Sequence, residues 1–224
     1  MKHILPLVAL FVAFSFMSAQ AQSVHNLTKS TDYITIQEAI DSASSGDIIS
    51  VDAGVYYESL LVNKSLTLKG AQAGVPARAL SGGLPSGAGR SGSETIIDSI
   101  HCMVIQASDV IIDGFTFTNF REGINIQDLA GDALPLNRVS IINNIMTSNT
   151  SGSDIYAVMM GDTSGGSGSS EFRNIRIENN SITQSAIVFV GSNVLFDSIR
   201  VSKNDLSNGN SYYSISGNGE VDSS

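Results

Sequence analysis

One apolar motif recurs along the chain and constrains the fold more than any other feature. Its copies are DVIIDGFTFTNF at 109–120, RVSIINNIMTSN at 138–149, NIRIENNSITQS at 174–185 and SIRVSKNDLSNG at 198–209. Four equivalent residues, separated by steps of 29, 36 and 24, mark the repeat: Val110, Val139, Ile175 and Ile199. A repeat of this length is typical of solenoids, in which each unit stacks on the last.

Each repeat also carries a second apolar segment, and no helical pattern separates the two. These segments are GINI at 123–126, YAVMM at 156–160, AIVFV at 186–190 and YSIS at 213–216. A unit made only of short strands buries its apolar face by stacking, which pairs equivalent strands in parallel. The sequence therefore predicts an all-β solenoid with long parallel sheets.

Alternation within the motif predicts which side chains face the interior. Successive side chains of a strand point to opposite faces. The predicted interior column is Val139, Ile141, Ile175, Ile177, Ile199 and Val201. The predicted outer column is Ser140, Arg176 and Arg200.

A polar pair follows the strand in each repeat. Asn144, Asn180 and Asn204 occupy the same place in three units. Stacked about 4.8 Å apart, their side chains can hydrogen-bond to one another as an asparagine ladder. Gly114 is assigned the matching place in the earlier unit, because asparagine and glycine both tolerate left-handed turns. The recurrence favours this ladder over a calcium site built from the same residues.

The segment before the repeats carries a short helix pattern. Thr35 and Glu38 form a capping box, Gly46 marks the predicted end, and the apolar face is Ile36, Ala39, Ile40 and Ala43. Predicted strands follow at 47–51, 59–62 and 65–70, and 52–58 is predicted to be a turn leading outward. The Gly- and Ser-rich stretches at 71–93 and 161–171 are predicted surface loops of one continuous domain.

The first residues have the order of a secretory signal peptide. Lys2 precedes an apolar run and the small-residue sequence Ala19-Gln20-Ala21, so residues 1–21 are predicted to be removed. Residues 22–224 then form a single parallel β-helix domain. It is predicted to be C-terminally incomplete, because the final coil has no visible cap. No stable membrane span remains after cleavage. The single cysteine, Cys102, excludes an internal disulfide.

The net charge and the aromatic content of the chain make some classes of binding partner less favourable than others. The net charge of −9 disfavours nucleic acid and anionic membranes. Trp is absent and aromatic residues make up 7% of the chain, which is few for a sugar-binding cleft.

The segment TIQEAIDSASSGDIISVDAGVYYESLLVNKSLTLKG, together with the I-x-N-N-x-I units, resembles right-handed parallel β-helix proteins of the pectin-lyase-like superfamily. The resemblance implies that fold, with residues 35–45 as a short N-terminal capping helix. It does not imply one activity. Gln127-Asp128 is similar to part of a pectin methylesterase motif, but neither motif of those enzymes is complete. The superfamily's lyases use a Lys or Arg base, commonly with calcium, and its polygalacturonase-type hydrolases use clustered Asp residues.

Two groups of residues are candidate sites. The first is Arg176, Glu178 and Arg200, a weak catalytic candidate in which two guanidinium groups can bind a sugar carboxylate. The alternative is a solvated charge ladder that contributes little energy. The second is the segment FREGINIQDLAGD, interpreted as a loop with four candidate substrate-binding residues: Arg121, Glu122, Asp128 and Asp132. Asp128 and Asp132 are also the candidate ligands of calcium, which prefers oxygen donors.

Two functions follow from these observations. The first is a secreted, periplasmic or extracellular β-helix domain that binds carbohydrate or forms part of a larger cell-surface protein, with a polysaccharide or surface glycan as partner. The second is a polysaccharide lyase or glycoside hydrolase of the pectin-lyase-like type. Calcium is the one candidate cofactor.

Overall fold

The computed structural model describes residues 23–77, 90, 92–128, 135–150, 155–161, 170–190 and 194–206, and the backbone of 214–215 and 218–222. The predicted signal peptide at 1–21 and Asp132 lie outside the described residues. The described part contains one helix, α1 (Ile36–Ser42), among many short strands.

The strands of the described part are, in chain order, β1 (Val24–Asn26), β2 (Thr31–Tyr33), β3 (Asp47–Val51), β4 (Gly54–Tyr56), β5 (Leu60–Val62), β6 (Leu66–Lys69), β7 (Thr95–Asp98), β8 (His101–Ile105), β9 (Val110–Asp113), β10 (Phe115–Thr118), β11 (Glu122–Ile126), β12 (Leu136–Asn137), β13 (Val139–Ile142), β14 (Ile145–Thr147), β15 (Tyr156–Gly161), β16 (Ser170–Arg173), β17 (Arg176–Glu178), β18 (Ser181–Thr183), β19 (Ala186–Val190), β20 (Val194–Ser202), β21 (Ser214–Ile215) and β22 (Asn218–Asp222).

These strands form three sheets, and successive strands along the chain join the three sheets in turn. The first sheet has the order β12-β16-β20-β17-β13-β9-β6-β3-β1-β2, with β22 beside β20. The second sheet is β18-β14-β10-β7-β4, and the third is β21-β19-β15-β11-β8-β5. The two pairings of β1, with β2 and with β3, are antiparallel, and all other pairings of the described strands are parallel. The predicted all-β class with long parallel sheets is confirmed.

The register of the first sheet follows the sequence repeat. Val139 pairs with Val110, and Ile141 pairs with Ile177, which pairs in turn with Val201. All six residues of the predicted interior column are buried. Ser140, Arg176 and Arg200 share one rung-to-rung column on the outer face. The predicted alternation is confirmed, because the pleat of a strand fixes both faces once the register is known.

Helix α1 lies at the N-terminal end of the sheets. Thr35 is its N-cap and accepts a hydrogen bond from the backbone N–H of Glu38 at 3.2 Å, as the capping box predicts. The helix packs against β1, β2, β3 and β5 with Ile36, Ala39 and Ile40 buried. It ends at Ser42 and not near Gly46, because Ala43 already adopts an extended conformation.

One local prediction is wrong, and two strands of the structure were not predicted. The segment 52–58 contains β4, which pairs in parallel with β7. The antiparallel strands β1 and β2 were not predicted at all, since each has three residues and little apolar alternation. Both errors arise because strands of three residues are held by neighbouring coils rather than by their own pattern.

Gly114 does not occupy the ladder position. It has a left-handed φ of 79°, as do Asn143, Asn179 and Lys203, with φ of 56°, 57° and 56°. The first residue of each polar pair therefore adopts the left-handed conformation, and the side chain of the second residue forms the ladder. Phe115 holds the ladder position in the earlier coil, where its backbone N–H donates to Asn144 Oδ1 at 2.9 Å.

The described ends of the predicted loop 71–93 lie against the corner between the first and second sheets rather than protruding. The backbone N–H of Ala77 donates to the Asn179 carbonyl at 2.9 Å. Arg90 donates to Glu94 at 3.0 Å and to the Asn143 carbonyl, and its side chain is 2% exposed. Burial lowers the pKa of this guanidinium group, which nevertheless stays within an ion pair.

Candidate functional site

The first candidate group forms one ion cluster on the outer face of the first sheet. Arg176 and Arg200 pair across β17 and β20, so their side chains leave the sheet one rung apart. Glu178 lies between them: its Oε2 is 2.7 Å from Arg176 Nη2, and its Oε1 is 2.9 Å from Arg200 Nε. Ser202 donates to the same carboxylate at 3.1 Å. The position expected to receive a sugar carboxylate is thus held by the chain's own glutamate.

The environment of Glu178 limits its chemistry. Its side chain is 7% exposed, whereas both arginines are about half exposed. Hydrogen bonding from Arg176 lowers the pKa of Glu178, with further lowering by Ser202 and the charge of Arg200, against the opposing effect of burial. Such a carboxylate is ionised at neutral pH, so it has no proton to donate as a general acid. The cluster joins adjacent coils and leaves about half of each arginine side chain exposed to solvent.

Further arginines on this side of the molecule are paired in the same way. Arg138 contacts Asp109 at 2.5 Å. Arg173 contacts Glu171 and lies 3.9 Å from Asp197. These contacts join neighbouring coils or neighbouring positions of one strand. We call the four arginines Arg138, Arg173, Arg176 and Arg200 the arginine face; each of them has a carboxylate partner.

The described members of the second candidate group are spread along a strand. Residues 122–126 are strand β11, so the predicted loop contains a strand. Arg121 and Glu122 lie at its start, and Asp128 lies beyond its end. At about 3.3 Å per residue, the strand puts Glu122 and Asp128 about 20 Å apart. The interpretation of this segment as a loop is therefore wrong, and substrate binding by these residues stays a prediction.

The members of that group have separate surroundings. Asp128 Oδ2 accepts a hydrogen bond from the backbone N–H of Glu171 at 2.9 Å. Glu122 Oε2 lies 3.5 Å from His101 Nδ1 and accepts from Asn125 at 3.2 Å. No group of three or more His, Cys, Asp or Glu residues able to hold a metal ion occurs in the described part of the chain. Calcium binding that involves Asp132 stays a prediction, since Asp132 lies outside the described residues.

The three ladder asparagines lie in one hydrogen-bonded column. Asn144 Nδ2 donates to Asn180 Oδ1 at 3.2 Å, and Asn180 Nδ2 donates to Asn204 Oδ1 at 2.9 Å. Each side chain also donates to the carbonyl of a strand residue: Ile112, Ile141 and Ile177. Asn144 and Asn180 are fully buried. The column therefore satisfies backbone groups at the corner where the first sheet turns into the second.

The structure reveals polar residues to which the sequence assigned no role. His101 meets Glu122 because β8 and β11 are neighbours in the third sheet, with these two residues in register. Asn125, on the outer column of that sheet beside Val104 and Met159, is 3% exposed, and its Oδ1 has no hydrogen-bond partner among the described residues. The only sequence signal for Asn125 is a polar residue inside an apolar strand. The pairing of His101 has no sequence signal, because it depends on loop lengths.

No helix of the described part is long and apolar enough to cross a membrane. No protein-family model matches the chain, and no solved structure matches it. Among curated proteins, it is similar to a cell surface glycoprotein of Methanothermus fervidus, with 32% identity over 146 residues. The match covers 62% of this chain and 21% of the relative, so the chain spans about a fifth of that relative's length.

Proposed function

We propose that the chain is a right-handed parallel β-helix of the pectin-lyase-like type that serves as an extracellular module of a cell-surface protein. The handedness rests on a general rule, because parallel strands joined within one sheet almost always have right-handed connections. The helix at the first coil and the asparagine column at one corner support the superfamily resemblance.

The observation that carries the surface assignment is the similarity to the cell surface glycoprotein. The chain's own features agree with it. A secretory signal is predicted at residues 1–21, and the acidic net charge of −9 suits a protein exposed to solvent. A stack of short strands with satisfied corners also gives a stiff rod, which suits a spacer or a display element.

We further propose that the partner is a polysaccharide or surface glycan. The half-exposed guanidinium groups of Arg176 and Arg200 have N–H donors that Glu178 does not occupy, and sugar hydroxyl or carboxylate oxygens can accept from them. Arg121 and Glu122, at the start of β11, remain the second candidate contact. The lowered pKa of Glu178 argues against a glycoside hydrolase that uses this residue as its general acid.

The surface assignment is tested on cells that produce the full chain with a C-terminal epitope. Intact cells are treated with a protease too large to enter, and the chain is followed by immunoblotting beside a cytoplasmic marker. We expect the chain to be digested while the marker survives. Protection of the chain until the cells are lysed would overturn the surface assignment.

Glycan binding is tested by affinity electrophoresis of the purified chain in gels containing neutral or uronate polysaccharides, with and without calcium. Retardation that is lost in Arg176→Ala/Arg200→Ala but kept in Ser140→Ala supports binding at the arginine face. The same mixtures are assayed for new reducing ends and unsaturated products. Their appearance would favour the alternative function, a polysaccharide lyase or hydrolase.

A further inference from the structure

Four Asn-x-Ser/Thr tripeptides occur in the chain, beginning at Asn26, Asn63, Asn149 and Asn179. This tripeptide is the acceptor for N-linked glycans in exported proteins. A glycan is attached through the side-chain Nδ2, so an occupied asparagine must reach solvent and must not donate a hydrogen bond that the fold needs. The four positions differ sharply in this respect.

Asn26 is unsuitable because its whole side chain is used inside the fold. It is fully buried, and its Nδ2 donates to Asp47 Oδ2 at 2.8 Å. Its Oδ1 accepts from the backbone N–H groups of Thr28 and Lys29, each at 3.0 Å. A sugar on Nδ2 would replace the contact with Asp47 and would need space that the packed interior does not have.

Asn179 is also unsuitable, for a different reason. It is half-buried and left-handed, and its carbonyl accepts from the backbone N–H of Ala77 at 2.9 Å. The next two residues of its tripeptide, Asn180 and Ser181, are buried. The tripeptide at Asn149 includes Ser151, which lies outside the described residues.

Asn63 has the opposite character. It is exposed, in the turn between β5 and β6, and its carboxamide makes no hydrogen bond to any described residue. The middle residue, Lys64, folds away and donates to the carbonyls of Asp41 and Ala43 at 3.0 and 3.2 Å. Ser65 keeps a half-buried hydroxyl that donates to the Asp109 carbonyl at 3.0 Å. The turn is thus anchored through its neighbours while Asn63 stays open to solvent.

We propose that Asn63 is the acceptor of an N-linked glycan, an inference that rests on the proposed extracellular function. The donor is an oligosaccharide linked through phosphate to a polyisoprenyl lipid, and a membrane transferase supplies the base. The bond from Nδ2 of Asn63 to C1 of the first sugar forms as the bond from C1 to the phosphate oxygen breaks. The lipid phosphate leaves with the electron pair, and one amide proton passes to the base.

The glycan would lie near Leu61, a residue of β5 that is 39% exposed and precedes Asn63 by two positions. A hydrated glycan at this place would cover part of the apolar outer surface of the third sheet near the capping helix. It would add no strain to the fold, since no contact of Asn63 is replaced.

The test is peptide mass mapping of the full chain isolated from the producing cells. We expect a glycan mass on the Asn63 peptide and none on the Asn26 peptide of the folded fraction. Asn63→Gln and Ser65→Ala should lose that mass, whereas Ser65→Thr should keep it, because the hydroxyl at the third position is retained. Cooperative melting of each of the three variants excludes misfolding as the cause of the loss.

Protease accessibility on the same cells separates this inference from the proposed function. A chain that is digested on intact cells but has an unmodified Asn63 overturns the inference and leaves the surface assignment standing. If the chain is not at the surface, purified folded chain is incubated with the cells' membranes and a polyisoprenyl-phosphate oligosaccharide. Transfer to Asn63 alone then supports the acceptor assignment, and absence of transfer overturns it.

Discussion

At the scale of single residues, the polar side chains matter most where they join one coil to the next. Asn180 accepts from the backbone N–H and the Nδ2 of Asn144, at 2.8 and 3.2 Å, and donates to the Ile141 carbonyl at 2.9 Å. Because it is fully buried, no water can replace these partners if the carboxamide is removed. Glu178 similarly connects neighbouring coils on the outer face of the first sheet, through ion pairs instead of amide hydrogen bonds.

Asn180→Leu should lower the free energy of unfolding by about 1–3 kcal/mol, because it leaves buried donors and acceptors unpaired. The measurement is urea unfolding followed by circular dichroism. Ser140→Ala, on the outer face of the same sheet, is the matched control and should change stability by less than about 0.5 kcal/mol. Equal effects of the two substitutions would contradict a stabilising asparagine column.

The lowered pKa of Glu178 makes part of the stability dependent on pH. A carboxylate whose pKa is lowered in the folded state stabilises the fold above its unfolded pKa, and this contribution is lost as the pH falls through the folded value. The stabilisation should therefore disappear in the acid range below the ordinary value of 4.5. Glu178→Gln should be less stable by about 1 kcal/mol at neutral pH and should show a smaller loss on acidification. Melting temperatures from pH 3 to 7 test this, and parallel curves would speak against it.

At the scale of elements, the N-terminal hairpin of β1 and β2 covers the edge of the first sheet with antiparallel pairing. His25 on β1 is in register with Asp32 on β2, with 2.7 Å between Nδ1 and Oδ1, and its Nε2 lies 3.4 Å from Asp52. Two strands of three residues have little stability of their own, so these polar contacts help to hold them. The hairpin also shields an edge that would otherwise be open to association.

The hydrogen bond to Asp32 raises the pKa of His25, and Asp52 adds to this against the effect of burial. A histidine with a raised folded pKa stabilises the fold fully below its unfolded value of 6.5, and the contribution is lost as the pH rises through the folded value. Amide exchange of β1 and β2, corrected for the intrinsic rate, should therefore quicken between pH 6 and pH 8.5. Asp32→Asn should weaken this dependence; an unchanged pH profile would show that the pair does not hold the hairpin.

At the scale of the whole molecule, stability comes from interior columns that run through successive coils. Val139, Ile141, Ile175, Ile177 and Ile199 are almost completely buried, and Ile141 is in register with Ile112 on one neighbouring coil and with Ile177 on the other. Coils in such a stack rely on their neighbours, so a charge in one interior position should disturb several of them.

Val139→Asp should unfold the domain, because a single unpaired carboxylate in the interior is very costly. Ser140→Asp is a close control because it introduces an aspartate at the next position of the same strand, on the outer face. We expect the control to keep cooperative melting and the Val139 variant to lose it. Native-like melting of Val139→Asp would mean that the interior column is assigned to the wrong face.

The sequence alone is enough to predict the repeat, the inward and outward alternation and the position of the asparagine column. The same repeat spacing places Gly114 one residue before the ladder position. These depend only on the two-residue period of a strand and on the equivalence of repeated residues, both of which are local properties. Three further facts required the structure: Glu178 lies between two arginines, Glu122 and Asp128 lie at opposite ends of β11, and Asn26 is buried while Asn63 is exposed. Those facts depend on which residues of different coils come into register, and the loops between the strands, which vary in length, set that register without leaving a periodic signal.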